Sequence, residues 1–354
     1  MKTYLVTGGA GFIGSDFIRY LFSKYKDSIR VINLDKLTYA GNLENLKDID
    51  SDNGYLFIKA DICDKPSVDT LFSSMDIDYV VNFAAETHVD RSIIDSGEFI
   101  RTNVLGTQNL LEAARKQWRR EDGFTQGKRF LQVSTDEVYG SLGRDGLFTE
   151  ATPLDPHSPY SASKAAADLI AKSYHDTYGF PVNITRCSNN YGPYQFPEKL
   201  IPLMINNAIN HRKLPLYGDG RQVRDWLHVR DHSRAIDMVL GMGEPGRIYN
   251  IGGHNERENI HIVREIIRRL QEIIGDKDIN EGLISHVADR PGHDRRYAID
   301  PSRIRKETGW EPVKSFEEGL FETISWYLEN TGWLRNITSG EYMKYYESVY
   351  GGDK

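Results

Sequence analysis

Apolar and polar positions follow two periods along the first half of the chain. Short apolar runs end in glycine, acid or small residues, and between them apolar side chains return every third or fourth position. Thr3-Tyr4-Leu5-Val6-Thr7 predicts a short buried strand. Gly8-Gly9-Ala10-Gly11-Phe12-Ile13-Gly14 then predicts a turn that opens a helix carrying Phe17, Ile18, Leu21 and Phe22. The runs 30–34, 55–60, 79–83, 130–133 and 181–186 predict further strands, and a helix-compatible segment spans about 98–118. In the segment from Pro156, Ser158 suits an N-cap, Pro159 the first helical position and Gly179 the stop. Strands alternating with helices mean an α/β fold with a doubly wound parallel sheet. Beyond about residue 190 shorter elements follow, at 214–217, 225–229, 263–274 and 313–328, the last a packing helix with Trp326 in the core. They predict a smaller C-terminal α/β lobe. The expected division is 1–190 for the cofactor domain and 191–354 for the substrate lobe, interleaved near 225–260.

Composition narrows the class. The chain has 354 residues, 27% charged and 39% hydrophobic, as ordinary globular proteins do. A net charge of -7 argues against a nucleic-acid or anionic-membrane partner. The two cysteines, Cys63 and Cys187, lack metal-ligand spacing and read as reduced thiols, with no metal expected and Cys187 structural. No leader pattern and no run of transmembrane length is visible, so a cytoplasmic protein is expected.

The chemistry collects at strand ends, where open α/β sheets bind ligands. The glycine turn lies between a strand and a helix, as a pyrophosphate cradle requires. Asp35 ends the next strand, about twenty residues past the last glycine, where a carboxylate accepts from a ribose 2′-hydroxyl. It favours NAD over NADP, and Lys36 beside it weakens that preference unless it is a solvated surface lysine. Asp61 suits the adenine amino group, and Ala84 and Ala85 allow close approach. Ser134-Thr135-Asp136-Glu137-Val138-Tyr139-Gly140 sets two carboxylates side by side at the end of a buried strand. Like charge and partial burial push their pKa values apart, as paired acid and base work needs. Tyr160 and Lys164 share one helix face, one turn apart, and the ammonium is expected to lower the phenol pKa. His88 reads as an orienting or structural residue, and Asp90 and Arg91 as a local pair.

These residues resemble the extended short-chain dehydrogenase/reductase superfamily. The stretches 35–42, 86–92, 134–140, 189–200, 217–220, 224–226 and 290–294 further resemble the dTDP-glucose 4,6-dehydratase family within it. The acid pair is the most specific part, since related epimerases usually lack acids there. The resemblance implies a Rossmann-type sheet and a reaction in which Tyr160 is the base for oxidation at C4. Glu137 then takes the C5 proton, Asp136 protonates the departing C6 hydroxyl, Thr135 bonds the 4-oxygen and Lys164 tunes Tyr160. It implies NAD held by Gly8, Gly11, Phe12, Ile13, Gly14, Asp35, Lys36, Leu37, Thr38, Asp61, Ile62, Ala84, Ala85, Glu86, Thr102, Tyr160, Lys164 and Asn190. It implies dTDP-glucose held by Thr87, His88, Thr135, Asn189, Lys199, Leu200, Pro215, Leu216, Tyr217, Arg224, Asn259, His293, Asp294 and Tyr297. Arg290, Arg295 and Arg296 are candidates for the diphosphate or for surface ion pairs. A homodimer joined by helices near 98–118 and 160–178 is also implied. The alternatives are another nucleotide-sugar enzyme, a 4-epimerase or decarboxylase, and a catalytically silent dinucleotide sensor or scaffold. The tail 333–354 is aromatic but charged and carries no expected function.

Overall fold

The computed structural model describes residues 1–338. Its main sheet has seven strands, all parallel, in the spatial order Ile248–Ile251, Val182–Cys187, Arg129–Thr135, Tyr79–Asn82, Lys2–Thr7, Ile29–Asp35 and Tyr55–Lys59. Side chains alternate across it. Tyr4, Val6 and Val31 face Phe17, Ile18 and Leu21 of the helix Phe12–Tyr25 and Ile236, Val239 and Leu240 of the helix Val229–Met242. Leu5, Ile32 and Leu34 face the other layer, made by the helices Lys65–Ser74, Thr107–Trp118 and Pro159–Tyr178. Burial on both faces explains why these strands read as continuous apolar runs. The expected doubly wound α/β fold is present.

Chain order reverses at Lys2–Thr7, which lies between Ile29–Asp35 and Tyr79–Asn82. A crevice opens at such a point beyond the strand ends. The glycine turn fills its floor. Gly8 has φ +68°, and a Cβ there would meet the Ala84 nitrogen at 2.7 Å. A Cβ on Gly14 would lie 2.4 Å from the Gly8 carbonyl oxygen.

The helix that carries Tyr160 starts and stops where the sequence predicts. Ser158 caps Pro159–Tyr178 in a capping box with Ser161, and Gly179 ends it in the left-handed conformation. The helical stretch from Gly97 to Trp118 takes a π-helical course over Ile100–Gly106, which periodicity does not foresee. Val229–Met242 and Ile248–Ile251, which periodicity does not mark as helix and strand, lie in the stretch 225–260 expected to interleave the two parts, and through them the second half of the chain returns to the main sheet. The strand is four residues long, too short to show a period.

The smaller lobe packs Leu200–Ile209, Asn259–Ile274, Phe316–Glu329 and Thr331–Ile337 around its own core. Its strands are Leu214–Tyr217 beside Ile284–Val287, and Val223–His228 between Glu256–Glu258 and Asn189–Tyr191. Trp326 is half-buried against that core. Of the tail, 339–354 lies outside the described residues.

One buried ion pair ties the Tyr160 helix to the sheet. Arg186 Nε donates to Asp168 Oδ2 at 2.9 Å, with both side chains buried. Removing one partner leaves a buried charge uncompensated, so Asp168→Ala is expected to cost about 3–5 kcal/mol of folding stability. Urea unfolding measures it, and an unchanged midpoint would refute that role.

Candidate active site

The strand Arg129–Thr135 delivers the acid pair. Thr135 caps the short 3₁₀ turn Asp136–Tyr139 by accepting the Glu137 N–H at its Oγ1, 3.3 Å away. Asp136 is 1% exposed, and its Oδ2 has no hydrogen-bond partner among the described residues. Burial first, then the Glu137 and Asp225 carboxylates, hold its pKa well above the ordinary value. Burial also raises Glu137, but Lys199, Arg224 and Arg290 work against it. Arg224 acts on both acids, whereas Lys199 and Arg290 act on Glu137. Asp136 is the more proton-retentive, as an acid beside a base requires.

Tyr160 is buried and sits at the same crevice. The expected lowering of its pKa is not what the protein's own groups produce. Burial and then Glu137 push it well above the usual tyrosine value, with a Thr135 hydrogen bond pulling the other way. Lys164 is itself buried, which lowers its pKa, and its Nζ donates to the Val133 carbonyl at 2.7 Å.

The crevice holds a cavity of about 310 Å³ lined by the glycine turn, Asp35, Lys36, Thr38, Asp61, Ile62, the 84–87 segment, Thr102, Thr135, the acid pair, Tyr160, Lys164 and Asn190. It brings together every expected cofactor residue except Leu37. That residue, at φ +58°, turns aside and gives its N–H to Asp35 Oδ1 at 2.8 Å. Asp35 Oδ2 accepts from Ala10 N at 2.9 Å, fixing the glycine turn. Lys36 is no free surface cation, because its Nζ pairs with Asp61 at 2.9 Å. An acid at one strand end and a neutralised lysine at its side suit a ribose 2′-hydroxyl better than a 2′-phosphate. The geometry therefore fits a dinucleotide with a free 2′-hydroxyl.

A second cavity, about 170 Å³, is lined by Thr87, His88, Lys199, Leu200, Pro215, Tyr217, Arg224, Asn259, His293, Asp294 and Tyr297. Thr87, Glu137, Asn189, Glu198 and Lys199 line both cavities, so Glu137 stands at their junction, with Asp136 beside it on the first cavity. Leu216, expected in the nucleoside wall, is 1% exposed and packs in the lobe core, because neighbours on a strand point to opposite faces. Arg224 fits the expectation of planar donors, lying 4.1 Å over the Tyr297 ring and bonding the Asp294 carbonyl at 2.9 Å. Arg295 and Arg296 do not, since one pairs with exposed Asp219 at 2.8 Å and the other bonds the Gly146 carbonyl at 2.9 Å.

Asp90 and Arg91 do not pair with each other. Adjacent residues on the helix Val89–Ile94 diverge. Asp90 pairs with Arg290 at 3.2 Å, and the Arg91 guanidinium lies 3.7 Å over Tyr39. His88 is buried and kept neutral by that burial and by Lys199, so it serves as the N-cap of the same helix and not as a charged acid. Cys187 is buried, with its thiol pushed up to about 12, and carries no nucleophile.

Sequence reasoning misses two supporting residues. Buried Glu198 accepts from the Tyr39 hydroxyl at 2.9 Å. Asn103, in the π-helical turn, accepts the Glu86 N–H at 2.8 Å and donates to the Glu86 carbonyl at 3.0 Å and to Ser163 Oγ at 2.8 Å. Only the polar residue inside an apolar helix face hints at the second.

The chain's likeness to known proteins agrees with this geometry. A family model described as GDP-mannose 4,6 dehydratase matches residues 5–323. Over 348 residues the chain is 52% identical to dTDP-glucose 4,6-dehydratase of Neisseria meningitidis serogroup B, covering 97% of this chain and 98% of that one. The chain belongs to the dTDP-glucose 4,6-dehydratase family. It is also 50% identical over 358 residues to dTDP-glucose 4,6-dehydratase 1 of Escherichia coli, with 98% and 99% of the two chains covered. The Bacillus anthracis family member, solved in complex with NAD, superposes with a TM-score of 0.85 at 49% identity, covering 95% of this chain and 100% of that one. DesIV of Streptomyces venezuelae, also solved with NAD, gives 0.87 at 47% identity, with 95% and 99% covered. The family resemblance read from the motifs holds.

The raised pKa of Asp136 has a measurable sign. Its folded value lies above the ordinary 3.8, so stability is lost as pH rises from that value through the raised one. Asp136→Asn, neutral at every pH, is expected to melt higher than the unsubstituted protein at about pH 7.5, the gain shrinking towards about pH 4. A gain independent of pH, or a loss, would refute the buried-carboxyl account.

Proposed function

We propose that the chain is an NAD-dependent hydro-lyase that converts dTDP-glucose to dTDP-4-keto-6-deoxyglucose and water. The observation that carries this reading is the Asp136-Glu137 pair on the first cavity, with Glu137 reaching the junction with a second cavity that carries Arg224 and Arg290. An epimerase needs no such pair. Bound NAD supplies the hydride chemistry, accepting hydride at the oxidation step and returning it to C6. The residues do the proton work. Tyr160 takes the proton of the 4-hydroxyl while Thr135 holds the 4-oxygen. Burial raises its pKa in the protein alone, and the positive charge of an oxidised nicotinamide, once bound, would favour the phenolate. The 4-keto group acidifies C5–H, and Glu137, faced by Lys199, Arg224 and Arg290, takes that proton. Asp136, which keeps its own, gives it to the C6 hydroxyl, which leaves as water; as hydride reaches C6, Glu137 returns its proton to C5, completing the 4-keto-6-deoxy product.

The reading extends to assembly and place. Ile100, Leu105 and Leu169 are 54%, 55% and 59% exposed on the two helical stretches named for a dimer. Their apolar faces support a homodimer joined there. Among the described residues no helix is long and apolar enough to cross a membrane, and a cytoplasmic location is part of the proposal.

Incubation with dTDP-glucose is expected to yield a product with the alkaline ultraviolet absorbance of a 4-keto-6-deoxy sugar. The double substitution Asp136→Asn with Glu137→Gln is expected to lower turnover by at least about a hundredfold while NAD stays bound. Tyr160→Phe is expected to abolish nicotinamide reduction. Full turnover in the double variant, or a product changed only in its C4 configuration, would overturn the assignment.

A further inference from the structure

The aromatic C-terminal segment, to which the sequence assigns no role, reaches the glycine turn. Trp333 lies on the helix Thr331–Ile337, far from residue 10 in sequence. Its indole Nε1–H donates to Asn45 Oδ1 at 2.9 Å, a buried contact. Asn45 Nδ2 donates in turn to the Ala10 carbonyl at 2.9 Å, also buried. The same carbonyl accepts the Asn42 N–H at 3.0 Å, and the Ala10 N–H goes to Asp35 Oδ2 at 2.9 Å. Trp333, Asn45 and Ala10 are 9%, 2% and 0% exposed.

The orientation of the Asn45 amide is forced. An indole nitrogen can only donate and a carbonyl can only accept, so turning the amide over would set donor against donor and acceptor against acceptor. Trp333 is fixed from behind by ring contacts with Trp326 at 5.0 Å and Tyr194 at 5.6 Å. Arg19, from the helix that the glycine turn opens, lies 4.0 Å over Tyr194 and also bonds the Asn45 carbonyl. The core of the substrate lobe thereby ends in a hydrogen-bond relay onto the loop expected to cradle pyrophosphate.

We infer that Trp333, acting through Asn45, is a positioning residue for the glycine turn and sets how tightly the chain retains its dinucleotide. The inference rests on the dinucleotide reading of the crevice. Packing alone does not need the indole N–H, since Trp333→Phe keeps an aromatic ring in the same cluster. The relay needs it.

The test is release of NAD from the full-length holoenzyme into a scavenging dehydrogenase. Trp333→Phe and Asn45→Ala are each expected to speed release about three- to tenfold, the loss of one hydrogen bond. The double variant is expected to match the faster single one, because both changes cut one relay. Affinity for dTDP is expected to stay near that of the unsubstituted chain, and the melting temperature of the NAD-free protein to fall only modestly, as the loss of one buried hydrogen bond requires. Unchanged release in both single variants would overturn the inference. So would additive effects, or equal losses of NAD and dTDP affinity with a steeply lowered melting temperature, which mark general loosening of the lobe. An unsubstituted chain that holds no NAD at all would instead overturn the dinucleotide reading itself.

Discussion

A carboxyl group with an unpartnered oxygen, almost sealed from water, is costly to bury in its charged form. Asp136 is such a group, and the architecture around it follows from how that cost is met. The protonated form is favoured because the strand Arg129–Thr135 ends inside the molecule and a second carboxylate stands next to it. A solvated turn would carry the same two residues with ordinary pKa values and no division of labour. The parallel sheet is therefore a condition of the chemistry. Buried on both faces, it brings a strand end into a buried crevice while leaving that end free to meet a ligand.

The division between the two acids is set from the other lobe. Lys199, Arg224 and Arg290 all belong to the second half of the chain, and all act on Glu137. Their positions depend on contacts that bridge the lobes, such as Asp90 with Arg290 and Lys199 with the Thr87 carbonyl at 3.1 Å. The lobe thus shapes a binding site and also biases one carboxylate towards its charged form. Coulombic attraction in a partly desolvated cleft is strong enough to matter here, whereas the same cations on an open surface would be screened.

Much of this is legible in the sequence because it is local. Strand, glycine turn, helix and terminal acid all fall within the first 35 residues and are read by steric rules that need no tertiary context. The Ser158 cap, Pro159 and the Gly179 stop are likewise decided by their neighbours. Where sequence and structure part, the deciding partner is remote or the direction of a side chain is at stake. Asp90 meets Arg290, 200 positions on, and nothing beside Asp90 in the sequence announces that partner. Leu216 escapes because a strand of four residues does not declare which face is the core. The direction of the Tyr160 shift escapes because burial is a property of the folded whole, and the lysine one turn away is engaged by the Val133 carbonyl.

The π-helical turn shows why such residues elude the apolar pattern alone. A regular helix through 98–118 would keep one face towards the sheet. The wider turn at Ile100–Gly106 lets Asn103 reach the backbone of Glu86 on one side and Ser163 on the other. Ser163 Oγ donates to the Tyr160 carbonyl at 2.7 Å, so the small-residue strand end and the Tyr160 helix are joined through one amide. Two elements that must hold a cofactor and a base in fixed relation are thereby connected by buried hydrogen bonds rather than by apolar contact, which fixes distance but not direction. The same logic governs Asn45 beneath the glycine turn. In both places an asparagine, held by directional bonds on either side, does what a leucine could not. In both, the cost of burying the amide is offset only while those bonds are made.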